Sequence, residues 1–255
     1  MQFTTPNGAL WNGDCQELMN HIPDGSVDMI LCDLPYGTTA CKWDTVISFE
    51  PLWKQYWRIV KPNAAIVLTA SQPFTTQLIA SQIDRFKYCW IWYKSKVSGF
   101  TNAKNKPLNT YEDVCVFSRG TTANRSESNM PYNPQGLIKI DKSVKNSQRD
   151  DSKTIGNRPS RQGEYVQEFT NYPKNILEIN HDSKSWHPTQ KPVALFEYLI
   201  RTYTNPGETV LDNCAGSGTT AIAAERTGRR WICIEKDPGY YMGACGRIHD
   251  AIHNA

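Results

Sequence analysis

The stretch from Thr209 to Glu235 leaves this chain few folds to choose from. Thr209-Val210-Leu211-Asp212 reads as a strand, and Asn213-Cys214-Ala215-Gly216-Ser217-Gly218 as a glycine-bearing loop. A helix follows from Thr219 to Thr227, closed by Gly228, and Arg230–Ile234 is a second strand that ends in Glu235. Strands that alternate with helices in this way pair mainly parallel, in an α/β sheet. Gly216 and Gly218 let the backbone approach a ligand closely, and the helix start at Ser217, Thr219 and Thr220 offers free N–H groups. Glu235 ends the next strand, 23 residues after Asp212, where an acidic side chain takes the hydroxyls of a ribose in nucleotide-binding α/β folds. Ala221 stands where a dinucleotide fingerprint has its third glycine, so this unit by itself leaves NAD open.

A second strand end carries chemistry of another kind. The apolar run Val27–Cys32 closes on Asp33-Leu34-Pro35-Tyr36-Gly37, where Pro and Gly force the chain out of the sheet. A carboxylate, a backbone carbonyl and an aromatic ring are thereby presented together. The exocyclic amino group of a nucleobase is a poor nucleophile because its lone pair is delocalised into the ring. Acceptors at Asp33 and at the Leu34 carbonyl would localise that pair and stabilise positive charge growing on nitrogen. Pro35 would hold the carbonyl and Tyr36 would stack on the base. Such a group has no role in hydride transfer, which argues against NAD.

The rest of the chain extends the same pattern. Residues 8–13 read as a strand and Asp14 as the cap of a helix to about His21. A helix around Leu52–Val60 ends at Lys61-Pro62, Ala64–Ala70 is a strand, and Ser71 and Pro73 open a helix from Phe74 to Ile83. Tyr88–Tyr93 and Val114–Phe117 read as strands with an antiparallel relation, since no helix separates them. From Arg119 to about Lys184 no period of 2 or 3.6 is sustained. Periodicity returns in a helix from Pro192 to Tyr203, and a last helix spans about 239–252. We therefore expect one domain in three stretches: a catalytic half (1–118), an insertion (119–185) and a cofactor-binding half (186–255).

Charge points to a partner. Between Arg85 and Arg161 stand fifteen Lys and Arg against six Asp and Glu, a balance of +9 in a chain of net +3, so the remainder carries −6. A basic block beside an acidic body suits a polyanion. Its candidate phosphate contacts are Lys94, Lys96, Lys104, Lys106, Arg119, Arg125, Lys139, Lys142, Arg158 and Arg161. The eight cysteines include no Cys-x-x-Cys pair, and four lie in apolar strand-like runs, which speaks against a metal site. With neither a signal peptide nor an apolar run near 18 residues, the expectation is a cytoplasmic protein without a membrane contact.

The Asp33 loop and the Gly216–Gly218 loop together resemble the amino-methyltransferases of DNA, which carry an Asp-Pro-Pro-Tyr type loop and use S-adenosylmethionine. The likeness covers most of the chain, and the catalytic loop preceding the cofactor loop resembles the permuted β group. Asn102-Ala103-Lys104, Tyr111-Glu112-Asp113 and Tyr132-Asn133-Pro134-Gln135 are similar to pieces of phage and prophage members. The resemblance implies a Rossmann-like, mainly parallel, seven-stranded methyltransferase sheet, circularly permuted, with 119–185 as an inserted target-recognition region. It implies Asp33, Leu34, Pro35 and Tyr36 as the catalytic loop. Asp212 and the Gly216–Thr220 turn bind the cofactor with Glu235, and His187-Pro188-Thr189-Gln190-Lys191 helps hold its methionine end. Leu34 stands where the family usually has Pro, but only its carbonyl is needed. Asn213 replaces an aromatic residue that often lies against the adenine, which leaves Asp14 and Cys15, at a third strand end, to supply part of that contact. The implied activity is site-specific methylation of adenine N6 in double-stranded DNA, with base flipping. A homodimer and a partner restriction endonuclease are compatible with it, in a bacterium or a phage-infected host. The alternatives are cytosine N4 methylation, an RNA or protein substrate, and a binding relative without catalysis.

Overall fold

Successive side chains of Val27–Asp33 alternate between two cores: Met29 and Leu31 enter one, Ile30 and Cys32 the other. A strand apolar on both faces must be covered on both, so helices flank it on either side. Ala65 and Val67 follow the first core and Ile66 and Leu68 the second in the neighbouring strand.

The computed structural model describes residues 1–255 apart from 39–40, 42–43, 125, 146–163, 184 and 254–255. In chain order the elements are β1 (Gln2–Thr4), β2 (Gly8–Asn12), α1 (Cys15–Leu18), β3 (Val27–Asp33), α2 (Phe49–Ile59), β4 (Val60–Ala70), α3 (Phe74–Ser81), β5 (Phe86–Ser98) and β6 (Asn109–Phe117). There follow β7 (Ile138–Lys145), β8 (Glu164–Thr170), β9 (Ile176–Ile179), α4 (Val193–Tyr203), β10 (Thr209–Asp212), α5 (Thr219–Arg226), β11 (Arg230–Glu235) and α6 (Pro238–His253). They make two compact units, Met1–Asn133 with Asn175–Ala255, and Pro134–Lys174.

The larger unit is built on one sheet in the order β1-β2-β11-β10-β3-β4-β6-β5-β9. Pairing is parallel from β2 across to β4, antiparallel on both sides of β6 and between β1 and β2, and parallel again between β5 and β9. The C-terminal ends of β2, β11, β10, β3 and β4 therefore share one edge of the sheet. Because β6 runs the other way, its first residues come to that same edge, beside the later part of β5. Helices α4, α5 and α6 cover one face through Phe196, Leu199, Ile222 and Ile248, and α2 and α3 cover the other through Leu52, Trp53, Tyr56, Phe74 and Leu78. Among the described residues no helix is long and apolar enough to cross a membrane.

Three expectations are corrected. The sheet has nine strands instead of seven, because β1 and β9 extend its two edges. Strand β9 lies inside the stretch read as irregular, and four residues are too few to display a period. Helix α2 ends before Lys61-Pro62 as expected, but the strand read as Ala64–Ala70 begins at Val60 and includes that pair; the register with β3 shifts between Val27 and Met29, so Pro62, lacking an N–H, sits where the ladder is already broken. In the smaller unit, β7 and β8 form an antiparallel hairpin that leaves Ile138, Tyr165 and Val166 exposed, so burial imposes no pattern on it.

Gly8 pairs with Trp231 where β2 meets β11. A Cβ there would lie 2.3 Å from the Trp231 carbonyl oxygen and 2.4 Å from its indole. Since backbone cannot yield as a side chain can, Gly8→Ala is expected to cost about 1–3 kcal/mol. In thermal unfolding each kcal/mol should appear as a fall in Tm of roughly 2–4 °C. An unchanged Tm would show that this strand pair is not needed for stability.

Candidate active site

Asp33 ends β3 at the edge where the parallel strands terminate. Gly37, with φ of 68°, turns the chain away, and Asp44 fastens that turn by accepting from the N–H groups of Gly37 at 2.8 Å and Thr38 at 2.9 Å. Leu34 is buried in the core shared with α2 and α3, so the departure from Asp-Pro-Pro-Tyr anchors the loop by packing.

Both oxygens of Asp33 are engaged. Oδ1 accepts from the Tyr36 hydroxyl at 2.7 Å and from the Thr69 hydroxyl at the end of β4, and Oδ2 accepts from Lys191 Nζ at 2.6 Å. Tyr36 thus serves Asp33 as a donor, while its ring stacks on Phe74 with centroids 5.1 Å apart. Lys191, implied for the methionine end of the cofactor, lines the cavity and is paired with Asp33 and, at 3.2 Å, with Glu112 Oε2. Burial works against its charge, but Asp33 and Glu112 outweigh that and hold its pKa above the usual lysine value. Glu112 Oε1 also lies 3.4 Å from Lys94 Nζ. Thr69 and Glu112 are site residues that sequence reasoning missed as such. A carboxylate two residues ahead of the apolar run Val114–Phe117 was the available signal for Glu112; Thr69 left none.

On the cofactor side two acids at adjacent strand ends have different employment. Asp212 is consumed by the loop it precedes: Oδ2 accepts from the Thr220 hydroxyl at 2.5 Å and Oδ1 from the Cys214 N–H at 3.0 Å. It therefore shapes the glycine turn while still lining the cavity, and its burial pushes its pKa up to about 6. Glu235 accepts one N–H per oxygen, from Gly216 at 2.7 Å and Asp237 at 2.8 Å, and lines the cavity with lone pairs left for hydroxyl groups. Burial raises its pKa as well. Gly216 and Gly218 have φ of 50° and 76°, a conformation glycine alone adopts readily. A Cβ on Gly216 would meet the His187 ring at 3.5 Å, and one on Gly218 would meet Ile248 of α6 at 3.1 Å. Ser217 and Thr219 are gripped by Arg247, and Thr219 donates to the Lys191 carbonyl at 3.2 Å. Asn213 accepts from the Tyr56 hydroxyl at 2.5 Å, so this residue is held from behind by α2. Asp14 caps α1 through Gln16 and pairs with Lys236 at 3.0 Å, with Cys15 beside it on the cavity wall. Turn, acid and third strand end together fit a nucleoside cofactor.

One cavity of about 1140 Å³ joins the two halves, running from Asp14 and Glu235 past Asp33 to Ser71, Lys96 and Asn109. Small-molecule sites typically occupy roughly 300–1,000 Å³, so there is room for a cofactor and part of a second reactant. Of the basic residues, Lys96 is exposed at this cavity, and Lys104 and Lys106 are exposed in the connection from β5 to β6. Lys94 is corrected from a phosphate contact to a buried partner of Glu112. Arg119 follows β6 at the opposite edge of the sheet, over the Trp57 ring at 5.1 Å, and so is not brought to the site. Lys139 and Lys142 are exposed on the hairpin of the smaller unit, and Arg125, Arg158 and Arg161 lie outside the described residues.

The sequence profile described as DNA methylase, which groups N6 and N4 amino-methyltransferases, matches residues 27–244. The chain belongs to the DNA methylase family. The methylase is 26% identical over 244 residues to "Putative methylase YubD" of Escherichia coli, covering 92% of this chain and 88% of that one. Its fold is similar to that of PvuII DNA methyltransferase, which is cytosine-N4-specific, with a TM-score of 0.64 at 19% identity over 97% of this chain and 92% of the other. It is likewise similar to M1.HpyAVI in complex with SAM, with a TM-score of 0.60 at 23% identity, covering 93% and 98%.

Asp212 allows a test through pH. Its pKa is raised in the folded protein, so its contribution to stability is complete below the unfolded value near 3.8 and is lost as pH rises through about 6. Asp212→Asn, which has no charge to bury, is expected to be more stable than the wild type at neutral pH by about 1–3 kcal/mol. That advantage should vanish on acidification below the unfolded value. Urea unfolding across the pH range measures it, and an advantage that stays constant with pH would mean that Asp212 is not the buried charge described.

Proposed function

We propose that this methylase transfers the methyl group of S-adenosylmethionine to the N6 amino group of adenine at specific sites in double-stranded DNA. The observation that carries the proposal is the Asp33 carboxylate, fixed by Tyr36, Thr69 and Lys191 at the strand end beside the glycine turn. When bound, S-adenosylmethionine supplies a sulfonium methyl that is already electrophilic. The protein's task is therefore alignment and charge stabilisation. Asp33 and the Leu34 carbonyl accept the amino N–H groups and counter the positive charge that grows as nitrogen shares its lone pair. The amino nitrogen would take the methyl group as sulfur keeps the electron pair of the C–S bond, and the surplus proton on nitrogen would pass to water. Glu235 would hold the ribose hydroxyls of the cofactor, and Asp14 would stand toward its adenine end. The target base must leave the stack, at a cost of a few kcal/mol. Residues 119–185 are the proposed target-recognition region, within which the β7–β8 hairpin is of a kind that fits a major groove.

The choice of adenine rests on Asp33, since the resemblance associates Ser at that position with cytosine N4. Cytosine N4 stays as the second reading, because the chemistry is the same. Nucleoside mass spectrometry on DNA from cells expressing the protein is expected to reveal N6-methyladenine. N4-methylcytosine alone would select the second reading, and neither product would overturn both.

Two substitutions test the roles. Asp33→Asn removes the charge, and the single-turnover rate should fall by about 10²–10³. Tyr36→Phe, which removes one donor to Asp33, should slow the same step by a smaller factor. Glu235→Ala should weaken S-adenosylmethionine binding in calorimetry by roughly 1.5–3 kcal/mol. Full single-turnover activity in Asp33→Asn would remove that residue from catalysis, and unchanged affinity in Glu235→Ala would remove Glu235 from the cofactor site.

A further inference from the structure

Resting on the reading of Asp33 above, we infer that Glu112 is a positioning residue for methyl transfer, acting through Lys191 on the Asp33 carboxylate. Four side chains from separate segments make a chain of alternating charge. Lys94 of β5 lies 3.4 Å from Glu112 of β6, Glu112 lies 3.2 Å from Lys191 ahead of α4, and Lys191 lies 2.6 Å from Asp33 at the end of β3. Their side chains are 7%, 15%, 6% and 20% exposed, so water screens them little. Glu112 Oε2 makes no hydrogen bond among the described residues although Lys191 is 3.2 Å away. What that oxygen contributes is charge.

The group balances two ammonium ions against two carboxylates. Without the charge of Glu112, Lys94 and Lys191 would share Asp33 alone, leaving a buried surplus of positive charge. The reaction adds more at the same place. The sulfonium methyl must come in line with a nitrogen held by Asp33, and that nitrogen becomes cationic as it is methylated. Glu112 thus offsets the two lysines and leaves the negative charge of Asp33 to the reacting nitrogen.

Other titratable groups face the cluster. His181 and His187 have pKa values lowered chiefly by burial, and Tyr36 has one raised chiefly by burial. Lys96 and Arg247 act on the two histidines, and Asp212 ionises below neutrality. Above about pH 7 the histidines are neutral and Asp212 is charged, which leaves Lys191 and the Cys15 thiol, its pKa lowered chiefly by a hydrogen bond with Cys214, to respond on the alkaline side. Cys15 is present alike in the wild type and in the Glu112 variant, so a difference between the two reports Lys191. Deprived of Glu112, Lys191 loses one of the two carboxylates that raise its pKa, and releases its proton at lower pH.

The test uses the full chain, unmethylated genomic DNA and radiolabelled S-adenosylmethionine under single-turnover conditions. Glu112→Gln should lower the rate by about 10²-fold at neutral pH, with the deficit shrinking toward alkaline pH. It should also weaken S-adenosylmethionine in calorimetry relative to S-adenosylhomocysteine, which lacks the sulfonium charge. Glu112→Gln combined with Lys94→Met restores the balance and should return the rate to within about tenfold of wild type. A purely steric role for Glu112 would give a pH-independent deficit that the second substitution does not repair, and this would overturn the inference. So would a wild-type rate in Glu112→Gln alongside an inactive Asp33→Asn, leaving the assignment of Asp33 standing. A wild-type rate in Asp33→Asn would instead remove the reading on which the inference rests. Should Glu112→Gln not fold, the double variant decides alone: a rate within about tenfold of wild type supports the charge role and a hundredfold deficit overturns it.

Discussion

The ion pair between Lys191 and Asp33 joins positions 158 residues apart, and the arrangement of the site depends on it. Lys191 sits just ahead of α4, whose buried face packs on the core that receives Met29 and Leu31 of β3. The hydrophobic contact between that helix and the central strand is what places a lysine against a strand-end carboxylate. Once there, the ammonium fixes Asp33 together with the Tyr36 and Thr69 hydroxyls, so the carboxylate is already oriented for the reaction proposed for it. Preorganisation of this kind spares the reacting system the work of turning dipoles during the transfer.

In the proposed reaction, a lysine next to the carboxylate that counters a growing cation is costly unless something offsets it. Glu112 supplies the opposing charge, and the sheet's topology makes this feasible. Strand β6 runs against its neighbours, so its early residues reach the same edge as the ends of β3 and β4. Had β6 been parallel, Glu112 would lie toward the other edge. The same argument explains Arg119, which the antiparallel course of β6 carries away from the site and onto Trp57.

The two acids of the glycine unit illustrate how neighbouring strand ends divide labour. Asp212 accepts from Cys214 before the glycines and from Thr220 after them, at the expense of a buried charge, and so ties together the two ends of the turn that holds Gly216 and Gly218. Glu235 accepts one N–H per oxygen and retains acceptor capacity toward the cavity. Removing Asp212 would loosen the cradle, whereas removing Glu235 would take away a contact.

Much of this was legible in the residues themselves. The βαβ unit from Thr209 to Glu235, the strand ending at Asp33 and the amphipathic face of α4 are local patterns, set by side chains within a turn or two of one another. The additions at the sheet edges were not legible, because β1 and β9 are three and four residues long and a period needs more. Nor was the hairpin of β7 and β8, whose residues face solvent on both sides. The roles of individual site residues divide the same way. The placement of Asp33, Glu235 and the glycine turn at strand ends on the cavity follows from sequence, since a carboxylate or a glycine that closes an apolar run is a local signal. That Lys191 serves Asp33, that Lys94 is buried on Glu112 and that Thr69 completes the carboxylate's shell were decided only by the tertiary structure. An ion's partner is whichever opposite charge the packing brings within about 4 Å, and nothing in the spacing along the chain specifies that.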